Sequence, residues 1–129
     1  MAVPYTLKKL TDVEDSAAKF GVGEVQEARF AYDDLEAEHT GVSYHRLNAN
    51  KRQGFAHKHE NAEEVYVVLA GSGRAKLDDE IIEIGALDAL RVAPGVIRGF
   101  EAGSGGLEML AFGPRHAGDG ELIQDWWTD

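Results

Sequence analysis

The chain has 129 residues, a formal charge of −10, 43% hydrophobic and 28% charged residues, and no cysteine. That length suits one compact domain with a real core and is short for two. The acidity argues against nucleic acid or an anionic membrane as partner, and without cysteine there is neither a disulfide framework nor a thiolate to act as nucleophile or metal ligand.

Residues 1–20, MAVPYTLKKLTDVEDSAAKF, lack the apolar core of a signal peptide, and no apolar run approaches a bilayer-spanning length. The expected location is cytoplasmic. Stretches 13–20 and 32–39 are candidates for short helices or turns. From there the chain breaks into short runs rich in β-branched and aromatic residues: 42–47, 64–69, 74–77, 81–84, 89–92 and 107–112. Glycines separate them, among them Gly41, Gly54, Gly71, Gly73, Gly85, Gly95, Gly99, Gly103, Gly105 and Gly106. Many short strands with turn signals between them predict a β-sandwich or barrel. Asp78-Asp79, between Leu77 and Glu80, has the residue types of a tight hairpin turn. The last stretch, GDGELIQDWWTD, is a candidate for a third short helix. The whole reads as a single all-β domain, 1–129, with irregular ends and a barrel core over about 42–112.

Chemistry concentrates at His57-Lys58-His59. Residues i and i+2 of a strand share a face, so both imidazoles project together and Lys58 points away. Glu64 opens the next apolar run after the polar turn 60–63, and its carboxylate can face the same interior if the two segments pair. Two histidines and a carboxylate with open positions form a facial set suited to Fe, Mn, Zn or Ni. Glu63, beside Glu64, is expected to point outward, and His39 and His116 to be solvated.

At these residues the chain resembles the cupin family. His57, His59, a four-residue gap, Glu64, a six-residue gap and Gly71 match the first cupin motif position for position. Its leading glycine departs from the pattern: Gly54 lies two residues from His57 in gap length, where the family usually leaves five. The second motif is carried by Gly85, Asp88, the strand 89–93 and Pro94-Gly95. The alignment then puts Arg98 where the family carries its fourth ligand, a histidine. The resemblance implies a double-sheet jelly roll with both motifs lining one end of the barrel. It also implies one divalent metal on His57, His59 and Glu64, and activities of the oxygenase, isomerase or decarboxylase type.

Arg98 divides the functional reading. A guanidinium has no lone pair to donate and stays charged, so it cannot replace imidazole as a ligand. Either the metal is retained and Arg98 anchors a small anionic substrate beside it, or Arg98 pairs with Glu64, the guanidinium stands where the ion would be, and the protein is a metal-free binding module. His45, on the preceding strand, is a further candidate ligand. Phe100 shares the face of Arg98, Tyr66 shares the face of Glu64, and both are expected to reach the pocket, with Phe55 and Tyr44 as lesser candidates. Tyr66, Val68, Leu90, Val92 and Met109 are expected to form the core. Trp126 and Trp127 must either fold back onto the barrel or bury against a second copy, and a homodimer is the expected assembly.

Overall fold

The computed structural model describes residues 4–114 and 118–128; His116 lies outside them. Two 3₁₀ turns, Leu10–Asp12 and Ala18–Phe20, precede eight strands. These are β1 (Gln26–Phe30), β2 (Thr40–Leu47), β3 (Ala56–His59), β4 (Glu64–Leu77), β5 (Glu80–Gly85), β6 (Ala89–Val92), β7 (Arg98–Pro114) and β8 (Gly120–Ile123). Every pairing among them is antiparallel, and they form one curled eight-stranded sheet, a jelly-roll barrel.

The two long strands are the spine. β4 pairs with β7 along most of its length, with β6 beside its first part and β5 beside its second. The expected strands 64–69 and 74–77 are therefore one bent strand, and 107–112 is the second half of another. The glycines between them are not loop residues. They sit where the two backbones approach too closely for a side chain: a Cβ on Gly71 would meet Gly106 O at 2.1 Å, and one on Gly73 would meet Glu101 O at 2.0 Å. Gly71 also has φ +81°, which disfavours L side chains. The register shifts lie at the same places, between Val68 and Ala70 and between Gly71 and Gly73, and such bulges are what bends a strand around a barrel.

The period-two alternation sets the interior. Tyr66 and Val68 on β4 face Phe100, Ala102, Leu107, Met109 and Ala111 of β7, with Leu47, Ala75, Ile84 and Val92 completing the buried cluster and Leu90 packed at its edge. Arg98 lies two residues before Phe100 and Glu64 two before Tyr66, so the same alternation turns both charged side chains inward. The β4–β5 hairpin turns at Asp78-Asp79, with Asp78 at φ 50°.

The C-terminal stretch forms a strand rather than a helix. β3 meets β7 at the single pair His57↔Arg98, which leaves its other edge open, and β8 fills that edge from Ala56↔Ile123 to His59↔Gly120. Beyond it the two tryptophans fold back onto the barrel. Lys76 donates to Trp126 O at 2.7 Å and lies 4.4 Å above that ring, while Arg52 stands over Trp127. Trp126 packs against Gly99, where a Cβ would come within 3.0 Å of its ring. Among the described residues no helix is long and apolar enough to cross a membrane.

Candidate ligand site

The site is assembled from three strand ends. His57 and His59 come from β3, Glu64 opens β4, and Arg98 opens β7 directly opposite His57. The imidazoles share a face, with ring centroids 5.1 Å apart and planes at 84°. His57 Nε2 lies 3.2 Å and His59 Nε2 3.3 Å from the same carboxylate oxygen, Glu64 Oε1. Tyr66 donates its hydroxyl to that oxygen too, and its hydroxyl is 3.3 Å from His57 Nε2.

Arg98 completes the cluster. Its Nη1 donates to Glu64 Oε1 at 3.0 Å and its Nη2 to Ala93 O at 3.1 Å. The residue is 0% exposed. A charge this deep requires a partner, and Glu64 is the ion-pair partner it has among the described residues. Burial alone would raise the Glu64 carboxyl, but hydrogen bonds from His57 and His59 outweigh it and hold the group well below the ordinary carboxylate range. Tyr66 is pushed well above its ordinary value by burial and by the charge on Glu64, so it stays a phenol and a donor.

A residue that sequence reasoning missed holds the outer edge. Asp119, just before β8, has a side chain 2% exposed and lies 3.5 Å from His59 Nδ1. It accepts from Asn61 N at 2.8 Å, Ala62 N at 3.0 Å and Asn61 Nδ2 at 3.1 Å. It thus ties the β3–β4 turn to β8 and backs one imidazole. In the sequence it belongs to a tail with no strand signal, and only the β3–β8 pairing brings it here.

The other candidates separate. His45 lies outside the His57–His59–Glu64 group: its Nε2 is 2.8 Å from Ser43 Oγ and its ring packs edge-on against Phe30. Burial, with a smaller effect from the neighbouring His57, pushes His45 down to about 4. Phe100 is wholly buried under the site, its ring against Tyr66. Tyr44 donates to Glu108 and lines neither of the cavities described below. Glu63 pairs with Arg91 at 3.2 Å on the surface, and His39 is exposed.

Two cavities open over the cluster. One of about 330 Å³ is bounded by His57, His59, Glu64, Phe30, Tyr32 and Leu122. The other, about 260 Å³, is bounded by His45, Phe55, Phe20, Phe30, His57 and Leu122, so the two share walls. A larger hollow of about 560 Å³ beside Asn50, Arg74 and Glu101 includes none of the site residues.

Donor type and spacing in this group resemble a metal centre. The donor atoms of His57, His59 and Glu64 lie within 4.8 Å of one another, and cis ligands about 2.1 Å from an ion stand about 3 Å apart. The fourth corner does not fit one. An ion about 2.1 Å from Glu64 Oε1 would lie within about 5 Å of Arg98 Nη1, given the 3.0 Å contact. At that range one positive charge opposes a dication by roughly 6–7 kcal/mol at an effective dielectric of 20. Arg98 thus opposes a divalent ion at a group whose donor atoms otherwise have the spacing for one.

No protein-family model matches the sequence, and no curated protein sequence matches it either. Solved structures do. A cupin protein from Bacteroides fragilis is similar with a TM-score of 0.70 at 25% identity, with 99% of each chain covered. Oxalate decarboxylase from Bacillus subtilis is similar with a TM-score of 0.80 at 19% identity; the match covers 98% of this chain and 34% of that one, about a third of its length. The polyketide cyclase RemF from Streptomyces resistomycificus gives 0.73 at 21% identity, over 95% of this chain and 87% of that one. The chain shares the fold of these cupin structures, carries the His57, His59, Glu64, Gly71 spacing, and has the buried Arg98 beside it.

Proposed function

We propose that this protein is a metal-free, small-molecule-binding cupin in which the Arg98–Glu64 ion pair takes the place of the metal. One observation carries the reading: a wholly buried guanidinium lies 3.0 Å from the carboxylate oxygen that both imidazoles approach. The pair neutralises itself, and the histidines remain as polar surface at the base of a cavity. That cavity sits where concave ligand sites are expected in a barrel. The similar folds named for oxalate and polyketide chemistry support a small-molecule pocket, while the arginine argues against metal-dependent catalysis here.

Metal analysis and thermal shift test this together. Untagged protein is expected to purify without stoichiometric Fe, Mn, Zn or Ni and to show no shift in Tm on adding any of them. Arg98→His is expected to gain metal-dependent stabilisation, since it supplies a third imidazole, and so a fourth ligand, beside Glu64, His57 and His59. Near-stoichiometric metal in the wild type, lost in His57→Ala, would overturn the proposal.

A further inference from the structure

We infer that the cavity takes an uncharged aromatic molecule carrying an N–H or O–H donor, and that the donor binds Glu64 Oε2. The inference deepens the proposed function and rests on its ion pair. All four contacts to the Glu64 carboxylate, from His57, His59, Tyr66 and Arg98, fall on Oε1. Oε2 has no partner among the described residues, and it is not one of the buried polar atoms left unpaired, so it keeps surface. Glu64 lines the larger of the two cavities. A carboxylate oxygen is an acceptor only, and a free one at a cavity floor selects a donor.

Charge on the walls gives the same selection. Among the described residues, neither cavity is lined by lysine or arginine, whereas Glu64 and Glu121 both line the larger one. Arg98, the cation nearest the floor, has no exposed surface and is already paired. An anion entering here meets the carboxylate of Glu64 and that of Glu121, which pairs with Lys58 at 3.4 Å, and finds no lysine or arginine lining either cavity. Aromatic and apolar side chains make up much of the remaining wall, beside the histidines and the polar Ser16, Gln26, Ser43 and Gln53. Phe20, Phe30 and Leu122 are shared by both cavities, with Phe55 in one and Tyr32 in the other. Phe20 is 53% and Phe30 46% exposed, so aromatic surface lies open at the mouth. A ring entering between these side chains covers that surface, and stacked or edge-on rings add about 0.5–1.5 kcal/mol per pair beyond area alone.

Three probes with one ring system separate the contributions: 2-naphthol, 2-methoxynaphthalene and 2-naphthoate, titrated calorimetrically into protein dialysed against EDTA and into undialysed protein of measured metal content. The expected result is binding of 2-naphthol, at least tenfold weaker binding of the methoxy ether, and no detectable binding of naphthoate. Phe30→Ala is expected to weaken 2-naphthol at least fivefold with an unchanged fold by circular dichroism. Naphthoate binding that survives EDTA, equal affinity for naphthol and its ether, or no binding by any probe would each overturn the inference. Naphthoate binding that EDTA abolishes would instead count against the metal-free reading, which keeps the two failures apart.

Discussion

Arg98 and Glu64 meet at 3.0 Å inside the barrel, one fully buried and the other retaining 17% of its side-chain surface. Such a pair holds together through its own geometry, and removing one member strands the other. Arg98→Met is therefore expected to destabilise the protein by about 3–5 kcal/mol. Pairing it with Glu64→Gln should recover a large share of that loss, because the stranded carboxylate is gone. Urea unfolding of the two singles and the double gives the coupling directly; purely additive losses would show that the side chains do not act as a pair.

Acid sensitivity should arise in part away from the ion pair, at His45. With this imidazole held at about 4 in the folded state, the unfolded chain takes up a proton from about pH 6.5 downward that the folded chain refuses. The His45 contribution should thus be constant above about pH 7, and stability should fall between about 6.5 and 4 by on the order of 3 kcal/mol. His45→Gln should flatten that window. The loss tied to Glu64, whose carboxyl is depressed, should persist in the variant at lower pH, since a depressed carboxyl stabilises above its unfolded value and stops doing so as acid titrates it.

Gly71 closes the first motif for a steric reason. A Cβ there would lie 2.1 Å from Gly106 O, and the backbone is at φ +81°. Gly71→Ala is expected to cost more than about 2 kcal/mol, as strain and displacement of a backbone partner combine. Gly85→Ala, where a Cβ would meet nothing within 4 Å, should change stability by less than about 1 kcal/mol. Thermal unfolding of both variants checks the contrast.

Asp119 supplies charged acceptors to the turn before β4. Asp119→Ala should lower stability, since hydrogen bonds to a charged group are stronger than neutral ones and water replaces them only in part. It should also change the ring environment of His59, visible as a shift of its imidazole nitrogen resonances, while His57 moves less. Equal perturbation of both rings would mean that Asp119 does not act through His59.

The barrel was legible because period-two apolar runs and glycine punctuation survive in a single sequence. The spacing His57, His59, Glu64, Gly71 located the site because strand parity makes such spacings three-dimensional. Glycine was also where the reading misled: Gly71–Gly73 and Gly103–Gly106 resemble turns locally, and only the crossing of two strands shows why they lack side chains. Asp119, Phe20 and Phe30 were invisible for a related reason. Their place at the site depends on pairings such as β3 with β8 and β1 with β2, and no local pattern in a short edge strand encodes its partner. Arg98 could be assigned to its position but not to its contacts, because a guanidinium on a long stem can reach inward or swing out.

On the proposed reading, an ion pair at the heart of the barrel would free this protein from metal supply. Binding strength across first-row divalent ions follows a fixed chemical order, so a site that depends on a weakly held ion is open to capture by a stronger competitor. Side chains encoded in the chain cannot be exchanged in that way, nor stripped by a chelator. Such a pocket would be complete when folding is complete, at any concentration of copper or zinc around it.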